Sequence, residues 1–344
     1  MSIRTNIRSL ALLLFVFAGS VNGLRAQCPP NIDFEEGTFN HWECFYQTNF
    51  AGTGTFAWTP TLPIPGRHDM YTNPPGNGND LYGNFPINCP NGSGHSIKIG
   101  ADQNGGHSAA KVSYVFTIPA GQNNYSLIYH YAIVLNDANH PAAQQPRLLI
   151  EVTNITDGTP LPCPMAPIVA GSNLPGFQNS PLTANGQPVR FKPWAASSVK
   201  LDNLAGKTIE VAFTTTGCGL NPTGTHFGYA YIDINSECSS VFTGATYCPD
   251  DAFINVTGPY GYQNYSWWDP TYTINYGNTQ TINFTPPPPP GTILKLIVDP
   301  YAGYGCRDTL TANLQDTLTI QAQAGNDRTS CNNAPVQLGV IPKP

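Results

Sequence analysis

Charge is scarce in this chain. Asp, Glu, Lys and Arg make up 10% of the 344 residues, against about 25% in an ordinary soluble domain. The surface must therefore be solvated mainly by Asn, Thr, Ser, Gln and Tyr. Basic residues are outnumbered, with 15 Lys and Arg against 21 Asp and Glu and a net charge of -6. A chain without a basic footprint cannot neutralise phosphates, which excludes nucleic acid as a partner. Helical periodicity is also missing, because 33 Gly and 33 Pro interrupt every segment of useful length. No HExxH, GxSxG or GxGxxG occurs, and the six glutamates form no evident acid/base pair with a second carboxylate. Gly206-Lys207-Thr208 resembles the tail of a P-loop, but Leu201 stands where the motif needs glycine. Turn followed by strand surrounds it, so it reads as a β-turn feeding a strand.

Long apolar runs are absent beyond the N-terminus, which predicts no membrane span. The first residues have another character. Arg4 and Arg8 precede the apolar stretch Leu10–Ala18, and Ala26 offers a small residue for cleavage. Residues 1–26 read as a signal peptide. Gln27, directly before Cys28, argues against lipidation of that cysteine. Export permits disulfides. There are nine cysteines, at 28, 44, 89, 163, 218, 238, 248, 306 and 331, none in CxxC spacing. The expected pairs are Cys248–Cys306, Cys163–Cys218 and Cys28–Cys238, with Cys44–Cys89 as the remainder. Cys331 would find its partner beyond the chain.

What the chain has is alternation of period two. Strands are predicted over 96–100, 111–117, 125–134, 147–153, 207–215 and 228–234. The fold class is all-β, with a jelly-roll-like sandwich over 27–239. An Ig-like sandwich is expected over 240–320, from the order Cys248, Trp267 or Trp268, Cys306. Pro286–Pro290 reads as a stiff polyproline connection within it. The start of a further Ig-like or PKD-like repeat is expected over 321–344.

Three groups of residues carry the functional question. Asp33 and Glu35, two apart at the start of the expected first strand, would share a face. With Asp233 on the last strand they would form a structural calcium site, since Ca²⁺ takes several hard oxygens. Tyr229 and Tyr231, on one face of the strand ending at Ile234, would offer a stacking platform for a ligand such as a sugar ring, or would pack under a loop. Asp137, His140, Gln145, Arg147 and His226 would be structural. A twelve-residue loop after Val134 needs its backbone groups satisfied, and no Ser or Cys nucleophile stands at an evident turn.

The segments "FEEGTFNHW", "YHYAIVLNDANHPAAQQPRLLIEV" and "GCGLNPTGTHFGYAYIDINSEC" resemble the N-terminal β-sandwich of large surface proteins of Bacteroidota. "AGNDRTSCNNAPVQLG" is similar to the opening of their Ig-like or PKD-like repeats. The resemblance implies export by the type IX secretion machinery, through a gliding-motility-associated sorting domain absent from this chain. "DTL" at Asp308 and Asp316 resembles an O-glycosylation acceptor of that phylum, on Thr309 and Thr317. The expected function is a non-enzymatic, secreted or cell-surface adhesin that binds a surface glycan or protein. The alternative is a carbohydrate-binding module of a larger secreted hydrolase.

Overall fold

The computed structural model describes residues 28–48, 56–73, 78–102, 107–161, 167–171, 175–219, 225–248 and 251–316. The expected signal peptide, Cys163, Thr317 and the repeat expected from residue 321 lie outside the described residues.

Two antiparallel sheets form the first sandwich. One runs β2 (Thr59–Thr61), β1 (Glu43–Thr48), β5 (Ser108–Thr117), β12 (Thr208–Thr216), β7 (Arg147–Asn154) and β8 (Thr159–Pro160), with β9 (Ile168–Val169) also on β7. The other runs β10 (Gln178–Ala184), β11 (Gln187–Lys200), β6 (Ser126–Asn136), β13 (Gly228–Ile234), β4 (His95–Gly100) and β3 (His68–Thr72). Pairing early strands with late ones, β4 with β13 and β5 with β12, gives the jelly-roll wrapping expected from the sequence.

Two further sheets are built from later residues. A five-stranded sheet runs β14 (Val241–Tyr247), β20 (Asp308–Asp316), β19 (Ile293–Asp299), β16 (Asn264–Trp268) and β17 (Asn275–Gly277). It faces a pair, β15 (Ile254–Thr257) with β18 (Thr281–Phe284). Trp267 is wholly buried between them with Val256, Leu296 and Leu310. The proline run lies in the connection between β18 and β19, where the Tyr247 hydroxyl donates to the Pro288 carbonyl.

β6 explains how the two parts join. All eleven of its residues are buried. Leu127, Tyr129, Tyr131, Ile133 and Leu135 point into the sandwich core. On the other face, Ala132 and Val134 pack under a loop that supplies Tyr82, Phe85, Ile87 and Cys89. Ile128 belongs instead to the core of the later sheets, together with Ala196. The outer face of this sheet is thus covered half by a loop and half by the second unit. At the seam the Ala196 N–H donates to the Gly261 carbonyl at 2.8 Å. Gly261 has φ +97, and a Cβ there would lie 2.8 Å from the Ala196 nitrogen. Only glycine lets the two backbones approach so closely.

The structure corrects several expectations. Residues 30–41 form turns, with positive φ at Asn31, Phe34 and His41, so Asp33 and Glu35 do not alternate on a strand. Cys28–Cys238 is bonded, across 210 residues, a closure worth about 5 kcal/mol in the chain-entropy model. The expected pairs Cys44–Cys89 and Cys248–Cys306 do not form. Cys44 sits in the sandwich core and Cys89 under the outer loop, both as thiols on opposite sides of a sheet. Cys218 lies against His140, and its expected partner, Cys163, lies outside the described residues. Cys248 is also a thiol, whereas Cys306 is half of a disulfide whose other half lies outside the described residues.

Candidate functional site

The loop after β6 is held from within. Asp137 is the hub: its Oδ1 accepts from Gln145 Nε2 at 2.8 Å and from the Asn139 N–H at 3.3 Å. Its Oδ2 accepts from Arg190 Nε at 2.8 Å, in a pair whose side chains are only 20% and 11% exposed. Arg147 forks onto loop carbonyls, donating to Gln145 O and Ala142 O at 3.2 and 2.6 Å. Asp137, Gln145 and Arg147 thus satisfy the loop. Arg190, on β11, completes the set from 53 residues away, a separation that no local pattern reveals.

His140 and His226 do not join that network. They converge on Cys218, which was expected in a disulfide. One ligand atom from each of the three lies within 4.8 Å of the others. His140 Nδ1 is 2.9 Å from Cys218 Sγ, and the imidazoles meet edge to face at 5.2 Å between centroids. His226 is 9% exposed, and its Nδ1 is buried with no hydrogen-bond partner. Burial, and then the neighbouring His140, hold its pKa below the ordinary histidine value. The end of β6, the end of β12 and the start of β13 position these side chains. The backbone around Cys218 is pinned: its N–H donates to His226 O at 3.1 Å, and its carbonyl accepts from the His107 N–H at 2.9 Å.

The expected calcium set is not assembled. Asp33 Oδ1 accepts the Glu35 N–H. The Glu35 carboxylate instead caps a neighbouring loop, accepting the N–H groups of Gly94 and His95. Asp233 is wholly buried; it shares the Ser93 hydroxyl with Glu35, but its ligand-type neighbours are Cys89 and His130. Burial pushes its pKa up to about 7 and that of His130 down to about 4. Burial also raises the Cys89 thiol well above its usual range. At neutral pH His130 and Cys89 are uncharged and Asp233 is about half protonated, which keeps the charge low at this depth. Tyr229 and Tyr231 are no solvent platform either. They are 1% and 3% exposed, under the outer loop. Their hydroxyls donate to Asp80 Oδ2 at 2.7 and 3.0 Å, while Asp80 Oδ1 accepts the N–H groups of Tyr82 and Gly83. Both faces of β13 are covered, so the alternation of its sequence does not expose one side.

A groove of about 340 Å³ opens at the seam between the sandwich and the later sheets. Asn91, Asn235, Ser239, Thr257 and Gln280 give it uncharged donors and acceptors, and among the described residues Glu237 is its one carboxylate. Phe242, Pro259 and Tyr260 give it apolar faces. The walls are fixed. Asn91 Nδ2 bonds to Asn235 Oδ1 at 3.4 Å, Gln280 Nε2 to Gly258 O at 3.1 Å, and His130 Nε2 to Tyr260 O at 2.9 Å. The residues that make this groove lie almost 200 positions apart in the sequence, and no local pattern announces them.

Among the described residues no helix is long and apolar enough to cross a membrane. No protein-family model matches the chain, and no curated protein matches it. Solved structures similar to it include a carbohydrate-binding module in complex with β-1,4-galactotriose, 10% identical over 60% of this chain and 96% of the other, with a TM-score of 0.27. The adhesin domain of Epf from Streptococcus pyogenes is 8% identical over 81% and 93%, at a TM-score of 0.20. The cleaved K1 adhesin domain of Lys-gingipain from Porphyromonas gingivalis W83 is 12% identical over 56% and 97%, at 0.24. Similarities at these identities and scores assign neither ligand nor activity to this chain.

Proposed function

We propose that this chain is an exported, non-enzymatic binding protein of the adhesin kind, and that the groove at the seam holds its ligand, an uncharged glycan. The observation that carries this reading is the groove's lining. A sugar presents many hydroxyls and one or two flat C–H faces. Amide and hydroxyl groups match the first, and Tyr260 and Phe242 match the second. A concave site with a few fixed polar groups on a rigid frame is the usual form of a small-molecule site. Export is supported by the Cys28–Cys238 bond, which belongs to an oxidising compartment. The sequence resemblance supports delivery to the cell surface through type IX secretion.

The test is a glycan array probed with the whole mature chain, followed by titration calorimetry on the best glycan. Gln280→Ala removes one wall amide and is expected to weaken binding about tenfold, the effect of losing about 1.4 kcal/mol. Full affinity in Gln280→Ala and in Asn235→Ala together would place the ligand elsewhere.

A further inference from the structure

We propose that His140, Cys218 and His226 form a binding site for a borderline transition-metal cation, with Zn²⁺ as the natural occupant. The donor set is two imidazoles and one sulfur, the ligand types that Zn²⁺ prefers over hard cations such as Ca²⁺ or Mg²⁺. The spacing suits it. In a tetrahedral site a thiolate sulfur and an imidazole nitrogen lie about 3.6 Å apart, from bond lengths of about 2.3 and 2.0 Å. The three ligand atoms here fall within 4.8 Å of one another, so small side-chain adjustments close the set on an ion.

The site is also prepared for an ion. His226 has a buried Nδ1 that bonds to nothing, which is costly unless something occupies the space beside it. The imidazoles of His140 and His226 meet edge to face at 5.2 Å between centroids, so both rings border the same space. Cys218 is fixed through both its backbone N–H and its carbonyl, so the sulfur does not have to be ordered on binding. His140 is the half-buried member and leaves a path inward from solvent. Among the described residues three ligands are offered, one fewer than a closed tetrahedral site holds. On binding, the Cys218 thiol becomes a thiolate and one proton leaves to solvent for each ion bound.

This site is separate from the groove. It lies at the start of β13, whereas Asn235 lies just past its end, nine residues or about 30 Å along an extended chain. Failure of the glycan reading leaves it untouched.

The experiment uses the whole mature chain, freed of metal, titrated with Co²⁺ and then Zn²⁺. The expected result is one Co²⁺ bound per chain, a thiolate-to-cobalt charge-transfer band in the near ultraviolet, and displacement of that band by Zn²⁺. The band is expected to vanish in Cys218→Ser and affinity to fall more than about a hundredfold in His140→Ala, a larger loss than outer-shell partners cause. Cys89→Ser, which alters the other cysteine-containing cluster, is expected to leave the band in place. X-ray absorption on the zinc-loaded wild type needs no variant to fold and is expected to show one sulfur and two imidazoles. A chain that binds no Co²⁺, a band that survives Cys218→Ser or disappears with Cys89→Ser, or peptide mapping that finds Cys218 in a disulfide, would each overturn the proposal.

Discussion

Asp80 shows how much a single buried carboxylate organises. It takes both tyrosine hydroxyls from β13 and two backbone N–H groups from its own loop. Asp80→Ala strands all four donors in a buried place and is expected to cost about 2–4 kcal/mol, read as a lower urea midpoint. Loss of less than half a kcal/mol would mean that the loop repacks without it. Asp233 and His130 make a second prediction. The folded pKa of Asp233, about 7, lies above the unfolded value of about 3.9. Its contribution to stability is therefore full at acid pH and declines as pH rises towards 7. The folded pKa of His130, about 4, lies below the unfolded value of about 6.5. Its contribution grows as pH rises from 4 to 6.5. In the wild type the two slopes oppose each other over that window. Asp233→Asn leaves the histidine slope alone, and stability is expected to rise by about 3 kcal/mol between pH 4 and 6.5. Urea melts at pH 4.5, 5.5 and 6.5 measure it, and a flat profile in the variant would contradict the assignment. At this scale the sequence was legible only where the effect was local. Arg147 on loop carbonyls is five residues from its farther acceptor, and it was foreseen. Asp80 meets Tyr229 across 149 residues, and no spacing reveals that.

The strands themselves were readable wherever one side chain in two faces a core. β13 matches its expected span, and β4, β5, β6, β7 and β12 differ from theirs by one to three residues. The fourteen-residue β11 was missed, for a physical reason. Its sequence QPVRFKPWAASSVK breaks alternation where the register with β6 shifts between Lys192 and Ala195, and Pro193 sits inside that irregularity. A bulge inserts one residue and inverts the apparent pattern beyond it. The tyrosines on β13 misled for the opposite reason: alternation was present, but a loop covers the face that it would have exposed. Element-level stability rests on the link between β11 and the loop after β6. Arg190→Ala removes the partner of the mostly buried Asp137 carboxylate and its bond to Asn179 on β10. The expected cost is about 2–3 kcal/mol, together with faster proteolysis within residues 137–146. Unchanged cleavage there, in a variant of wild-type stability, would show that Gln145 and Arg147 hold the loop alone.

Across the whole molecule, fold class was more legible than contacts. Scarce charge, the absence of helical periodicity and repeated alternation pointed to an all-β chain before any contact was known. The bond between Cys28 and Cys238 follows from the two ends of a sandwich meeting. Cys89 misled because its neighbours come from distant strands: it faces Asp233. The seam was invisible for the same reason. It arises because Ile128 and Ala196 leave the first core for the second, and the groove exists only where the two parts meet. The central claim is that this groove binds the ligand. Hydrogen exchange followed by mass spectrometry, on the whole mature chain with and without its best array glycan, tests it most directly. The account expects added protection confined to residues 235–239, 257–260 and the peptide around Gln280. Protection around the exposed edge of β2 or the loop after β6, with none at the seam, would contradict it.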